Sequence, residues 1–110
     1  VFGRIKKSKD VRREMRFITE IPANRIEPGL DSAFDGENVI VQGAVDLCFE
    51  EDGEIVVLDF KTDRADNAEM LKSAYGEQLE IYAAACEKIF KKKVKQRIIY
   101  SFALSREISV

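Results

Sequence analysis

Val39-Ile-Val-Gln-Gly-Ala-Val-Asp-Leu-Cys-Phe-Glu50 and Glu54-Ile-Val-Val-Leu-Asp-Phe-Lys-Thr62 are two hydrophobic runs joined by Glu51-Asp52-Gly53. Each run alternates, and Asp-Gly favours a two-residue type I′ turn because both central residues need positive φ. A turn at residues 52 and 53 sets Glu51 against Glu54, and counting back sets Asp46 against Asp59. Alternation along a strand puts Lys61 on the face of Asp59. The pattern predicts an antiparallel hairpin that gathers two carboxylates and a lysine on a patch otherwise made of Val, Ile, Leu and Phe. Carboxylates in such surroundings are costly unless they are paired or bound to metal.

Outward from the hairpin, Val11–Ile21 also alternates, with Met15, Phe17, Thr19 and Ile21 set against Glu14, Arg16, Ile18 and Glu20. It predicts a first strand, ended by Pro22. Residues 1–9 are basic and read as a frayed lead-in. Ala23–Gly36 holds Pro28, Gly29, Asp31, Ser32, Asp35 and Gly36 and reads as a turn-rich connection. Ala65–Lys93 repeats apolar residues at three- and four-residue spacing (Met70, Leu71, Ala74, Tyr75, Leu79, Tyr82, Ala85, Cys86, Ile89, Phe90) and predicts a long helix. Asp66 or Asn67 is its expected N-cap, and Gly76 the point where it breaks or bends. Val94–Ala103 alternates again, placing Ile98, Tyr100, Phe102 and Leu104 on one face, and Ser105–Val110 reads as a short final strand. Three strands, a helix and further strands define an α/β (α+β) domain, a sheet with a long helix packed across it.

At 110 residues the chain is one domain with one core. Its net charge of −2 gives no global basic field. The cations are clustered, with Arg4, Lys6, Lys7, Arg12 and Arg13 near the start and Lys91, Lys92, Lys93, Lys95 and Arg97 after the helix. The second cluster is expected to be a solvated helix end, where cations suit the dipole. Cys48 and Cys86 form neither a disulfide framework nor a zinc spacing. The absence of histidine excludes His-based triads and His-rich metal sites. No apolar stretch is long enough to span a membrane and no signal peptide is visible, so a cytoplasmic setting is expected. The chain reads as a piece of a longer polypeptide.

Phosphodiester hydrolysis needs a nucleophilic water, neutralisation of phosphate charge and help for the departing oxygen. A hard cation such as Mg²⁺ does much of this while held by one or two carboxylates. Asp46 and Asp59 suit that role. Lys61 could orient the water or stabilise developing charge, and Gln78 and Tyr82, one helical turn apart, could complete the wall. Gly43, opposite Thr62 in this register, would let substrate or backbone approach closely.

Together these segments resemble a known family. Gly43-Ala-Val-Asp46, then Asp59-Phe-Lys61-Thr62-Asp63, then Gln78-Leu79-Glu-Ile-Tyr82 are similar to the G-x-x-D, D-x-K-T and Q-L-x-x-Y pattern of RecB-type PD-(D/E)XK nucleases. Arg13-Glu14-Met-Arg-Phe17, Ile21-Pro22 and the run at 59–64 extend the likeness to nuclease domains at the C-terminal end of AddAB-type helicase–nucleases. The resemblance implies a restriction-endonuclease-like mixed sheet and an Mg²⁺-dependent (or Mn²⁺-dependent) DNA exonuclease domain fused behind an ATP-driven helicase. It implies action in double-strand break repair at the nucleoid, with DNA and an AddB-like second subunit as partners. By position, Asp46 and Asp59 become metal ligands with the backbone carbonyl of Phe60, Lys61 the catalytic lysine, and Gln78 and Tyr82 its supporting pair.

That branch carries another metal-site residue, often histidine, on a helix ahead of the first strand. The chain is expected to lack this helix. The isolated piece is then weakly active or inactive, and uncovered apolar surface favours its dimerisation. Two other classes stay open. One is a catalytically inactive nuclease-fold module that binds DNA or docks a subunit. The other is a plain α+β interaction domain, in which Asp46 and Asp59 would lie far apart.

Overall fold

The Asp52-Gly53 turn forms as expected, with φ of 55° and 78° at its two residues. The structure is a computed structural model and describes residues 1–23, 37–62, 64 and 67–110. Strands β1 (Val11–Pro22), β2 (Asn38–Glu51) and β3 (Glu54–Lys61) are followed by helix α2 (Ala68–Phe90) and strands β4 (Val94–Ser101) and β5 (Arg106–Ser109), with a short helix α1 (Phe2–Lys7) ahead of them all. The five strands form one sheet in the order β1-β2-β3-β4-β5. All neighbours are antiparallel except β3 and β4, which run parallel. A parallel pair needs a long crossover, and α2 supplies it. This is the mixed α+β sheet expected from the element order.

β3 lies between two packed layers, which explains why Ile55-Val-Val-Leu58 is apolar without a break. On one face, Ile55 and Val57 pack with Leu71, Leu79, Ala84, Ala85 and Cys86 of α2. The alanines let the helix sit close to the sheet. Cys48 of β2 and Cys86 of α2 are both buried in this layer as free thiols. On the opposite face, Val56 and Leu58 pack with Leu47, Phe49, Ile98 and Ile5. Ile5 belongs to α1, so the basic lead-in is not frayed. Arg4 anchors it through Nε and Nη2, which donate to the two Glu51 carboxylate oxygens at 2.9 and 2.8 Å. The sequence Phe2-Gly-Arg-Ile-Lys-Lys7 offers no metal-ligating side chain.

Other expectations need adjustment. Asn67 is the N-cap of α2, its side-chain oxygen accepting from the Met70 N–H at 3.0 Å. Asp66 and the turn-rich stretch 24–36 lie outside the described residues. Gly76 does not interrupt α2. A side chain there would meet open space, so the helix needs only propensity to run through it. β4 ends at Ser101, and Phe102 and Leu104 sit in the following turn. Leu104 packs with the α2 layer, whereas Ile98 and Tyr100 belong to the α1 layer, so these residues do not share one face.

The largest departure is in β2. Leu47 and Phe49 face the α1 layer, yet Val45 belongs to the α2 layer. Val11 and Met15 on β1 divide in the same way. The β1–β2 register keeps one offset from Val11–Phe49 to Pro22–Asn38, but no pair forms where Glu14 would meet Asp46. Glu14 has φ 48°, in the left-handed region. One residue in that conformation rolls the ribbon over, so the residues beyond it exchange faces. The β2–β3 ladder ends at Leu47–Leu58, one step short of Asp46 and Asp59.

Gly43 is consequently not opposite Thr62 within a ladder. It pairs with Phe17 of β1. A Cβ there would lie 3.1 Å from the Phe17 ring and 3.2 Å from the Tyr82 ring. The missing side chain makes room for two aromatic rings that meet edge to face at 5.7 Å, not for a substrate. Gly43→Ala is expected to lower unfolding free energy by about 1–3 kcal/mol through overpacking. Chemical denaturation checks this, and adding Phe17→Leu should recover part of the loss, because the two changes share one space.

Candidate active site

The ribbon's change of face sets the geometry of the site. Where β2 leaves β3, the Asp46 carboxylate takes the place of a ladder acceptor, with the Phe60 N–H donating to its Oδ2 at 2.8 Å. Asp59, one residue earlier on β3, is 4% exposed and points toward α2. Two carboxyls are thus brought side by side at the end of the buried strand. Burial pushes the Asp59 carboxyl up to about 6, contact with the Asp46 carboxyl adds to the rise, and the Lys61 ammonium opposes it.

Lys61 shares the face of Asp59, as alternation requires. Its Nζ lies 2.9 Å from Asp59 Oδ2. The contact is an ion pair without hydrogen-bond geometry, because Oδ2 is buried and accepts no hydrogen bond. Lys61 Nζ instead donates to Gln78 Oε1 at 3.1 Å and sits 4.0 Å from the centre of the Tyr75 ring. Tyr75, Gln78 and Tyr82 fall on one side of α2, at helical spacings of three and four. The Tyr82 phenol is pushed up by burial and then by the charges of Asp59 and Asp46. All five sequence-derived side chains therefore converge, which excludes the interaction domain whose two aspartates lie apart. Tyr75 is the site residue that motif reading passes over. Its signal is its place three residues before Gln78 on the same helical face.

The donor set suits a hard divalent cation. Asp46 and Asp59 offer oxygen ligands, and the orphaned buried Oδ2 is the kind of atom a cation satisfies. Among the described residues no group of three or more His, Cys, Asp or Glu is placed to hold an ion. Mg²⁺ tolerates this, since it keeps several waters and binds through one or two carboxylates.

The basic clusters are largely committed to structure. Lys92 pairs with Glu50 at 2.8 Å, Lys95 with Glu51 and Asp52 at 2.9 and 3.3 Å, and Arg97 with Glu80. The stretch after α2 thus fastens the helix end to the hairpin.

Fold and site together define a nuclease of the PD-(D/E)XK superfamily, and the chain belongs to that superfamily: the family model of this description matches residues 3–107. The relatives narrow the likeness to AddA, the larger-chain component named for an ATP-dependent helicase/nuclease. The chain is 38% identical over 104 residues to this helicase/nuclease protein of Clostridium botulinum (strain Alaska E43 / Type E3), covering 94% of this chain and 8% of that protein. It is 36% identical over 114 residues to the corresponding protein of Heliobacterium modesticaldum, covering 97% of this chain and 8% of the relative. The chain therefore spans about 8% of the length of these curated relatives. The crystal structure of SSO0001 superposes with a TM-score of 0.57 at 18% identity, over 99% of this chain and 45% of that one, which supports the fold alone.

A carboxyl titrating near 6 in the folded state and near 4 when unfolded binds its proton more tightly when folded. Its contribution to stability is complete below about pH 4 and is lost as pH rises through about 6. Without divalent cation, the wild-type chain is expected to lose stability relative to Asp59→Asn between about pH 4.5 and 7, by an amount on the order of 2 kcal/mol. Parallel denaturation series at the two pH values check this.

Proposed function

We propose that this chain is the nuclease portion of a larger ATP-dependent helicase–nuclease, and that it hydrolyses DNA phosphodiester bonds with Mg²⁺, or Mn²⁺ in its place, as an exonuclease in double-strand break repair and recombination. The observation that carries this reading is the buried Asp59 beside Asp46, with an oxygen that accepts no hydrogen bond and the Lys61 ammonium 2.9 Å away. Membership of a nuclease superfamily and the names of the relatives support the substrate and the wider assembly.

Asp46, Asp59 and the backbone carbonyl of Phe60 would hold the cation. When bound, it would neutralise phosphate charge and lower the pKa of a coordinated water. Lys61, held by Gln78 and the Tyr75 ring, presents its remaining protons toward the reacting phosphate and attacking water, where they oppose developing negative charge. Gln78 and Tyr75 act through Lys61. Tyr82 packs on Phe17 and closes the wall beside the two carboxylates, limiting water to the reacting position. An AddB-like second subunit completes the assembly, which works in the cytoplasm at the nucleoid. No described helix is long and apolar enough to cross a membrane.

The test uses the full-length protein that carries this chain and degradation of linear DNA. Asp59→Ala is expected to abolish degradation and to remove Mg²⁺ binding seen by titration calorimetry. Lys61→Ala should lower the rate by on the order of 10²-fold or more while leaving metal affinity measurable. Gln78→Ala should cost less, since Lys61 keeps Asp59 and Tyr75 as partners. Full activity in Asp59→Ala would sink the assignment.

A further inference from the structure

The sheet face opposite α2 carries a feature that the hydrolytic residues do not use. Phe2 of α1 and Phe60 of β3 are nearly parallel, with ring centres 6.4 Å apart and planes 9° apart. Tyr100 of β4 meets the edges of both, at 5.2 and 6.4 Å. Phe102 stacks on Phe60 at 5.9 Å, and its N–H donates to the Lys61 carbonyl at 3.0 Å, pinning it to the end of the catalytic strand. A ring cluster that served only as core would be sealed, yet Phe2 is 48% and Phe102 52% exposed.

The rings adjoin a cavity of about 560 Å³ lined by Phe2, Phe60, Lys6, Arg13, Glu14 and Asp46. Its size is within the range of small-ligand sites. Lys6 and Arg13 have no hydrogen-bond or ion-pair partner among the described residues, whereas Arg4 is bound to Glu51 and Arg12 stacks on Phe90. One cavity thus combines aromatic faces, two uncommitted cations and a carboxylate of the proposed metal site.

We propose that this cavity is a nucleotide subsite: it takes an unpaired base of the DNA strand against the Phe2 and Phe60 rings, with the adjoining phosphates at Lys6 and Arg13. The inference rests on the nuclease reading above. Base faces are available to side chains only when the base has left a duplex stack, and aromatic stacking is tolerant of sequence because every base has a π face. Lys6 and Arg13 neutralise phosphates without reading bases. Phe60 lies between Asp59 and Lys61 in the chain, so a base on its ring brings the strand to those two residues. Glu14 makes the cavity unevenly charged, which suits a neutral base beside cationic phosphate contacts better than a bare polyanion throughout.

The experiment measures cleavage of single-stranded oligonucleotides by the full-length protein without ATP, so that unwinding contributes nothing. Phe2→Leu keeps apolar bulk and removes the ring. It is expected to lower kcat/KM on intact strands on the order of tenfold. Oligonucleotides abasic on either side of the cleaved bond should lose as much with the wild type and nothing further with Phe2→Leu. Lys6→Gln with Arg13→Gln should flatten the salt dependence of KM by a slope on the order of one to two. Equal losses by Phe2→Leu on intact and abasic strands, or no loss on either, overturn the subsite, as does an unchanged salt slope. Asp59→Ala, assayed alongside, separates the two failures. If it abolishes cleavage while the Phe2 and cation variants behave as wild type, the subsite falls and the nuclease reading stands.

Discussion

Two carboxyl groups held side by side where water is scarce are the constraint around which this domain is arranged. Asp59 stands at the end of a strand that is apolar because both of its faces are covered, and Asp46 is delivered to it by a strand that has just changed face. Leaving a charge in such a place costs several kcal/mol unless something offsets it. The fold supplies part of the offset. A backbone N–H goes to Asp46 and an ammonium sits beside Asp59. The remainder is unmet, as the rise of Asp59 to about 6 records. A site that is stable but electrostatically unfinished is disposed to take up a cation.

Lys61 shows how the helix takes part. An unrestrained lysine next to a buried carboxylate would close on it in a full hydrogen bond and neutralise it. Here Gln78 accepts from the ammonium while the Tyr75 ring faces the same cation, and Asp59 Oδ2 remains without a hydrogen bond. The side chain is shared among three partners instead of surrendered to one. Gly43 matters for the same reason at one remove, since its missing Cβ lets Phe17 and Tyr82 pack and so keeps this part of α2 against the sheet.

Much of this is legible in the sequence because it depends on local rules. Asp-Gly specifies its turn, the turn specifies the register of the hairpin, and alternation places Lys61 with Asp59. The helical spacing of Gln78 and Tyr82 is equally local, and motif likeness joins the two halves. What escapes depends on tertiary context. Nothing in the residues around Glu14 announces a left-handed backbone, so the exchange of faces at Asp46 is invisible and uniform counting carries Gly43 to the wrong neighbour. Residues 2–7 form a short helix whose stability comes from burying Ile5 and pairing Arg4 with Glu51, neither of which a basic hexamer advertises. The lysines after α2 look like a nucleic-acid patch until their acidic partners on the hairpin are seen.

The parallel pairing of β3 and β4 has a consequence for the order in which the chain matures. The hairpin closes across two residues and can form on its own, bringing the aspartates together early. Joining β3 to β4 must wait for the whole of α2 to be laid across the sheet, a closure with a greater entropic cost. Gln78 and Tyr75 reach Lys61 only in that later event. A nascent or partly melted chain therefore holds the acidic pair without the oriented lysine, and chemical competence arrives with the last long-range contact. For a domain built to cut DNA, incomplete folding is its own safeguard.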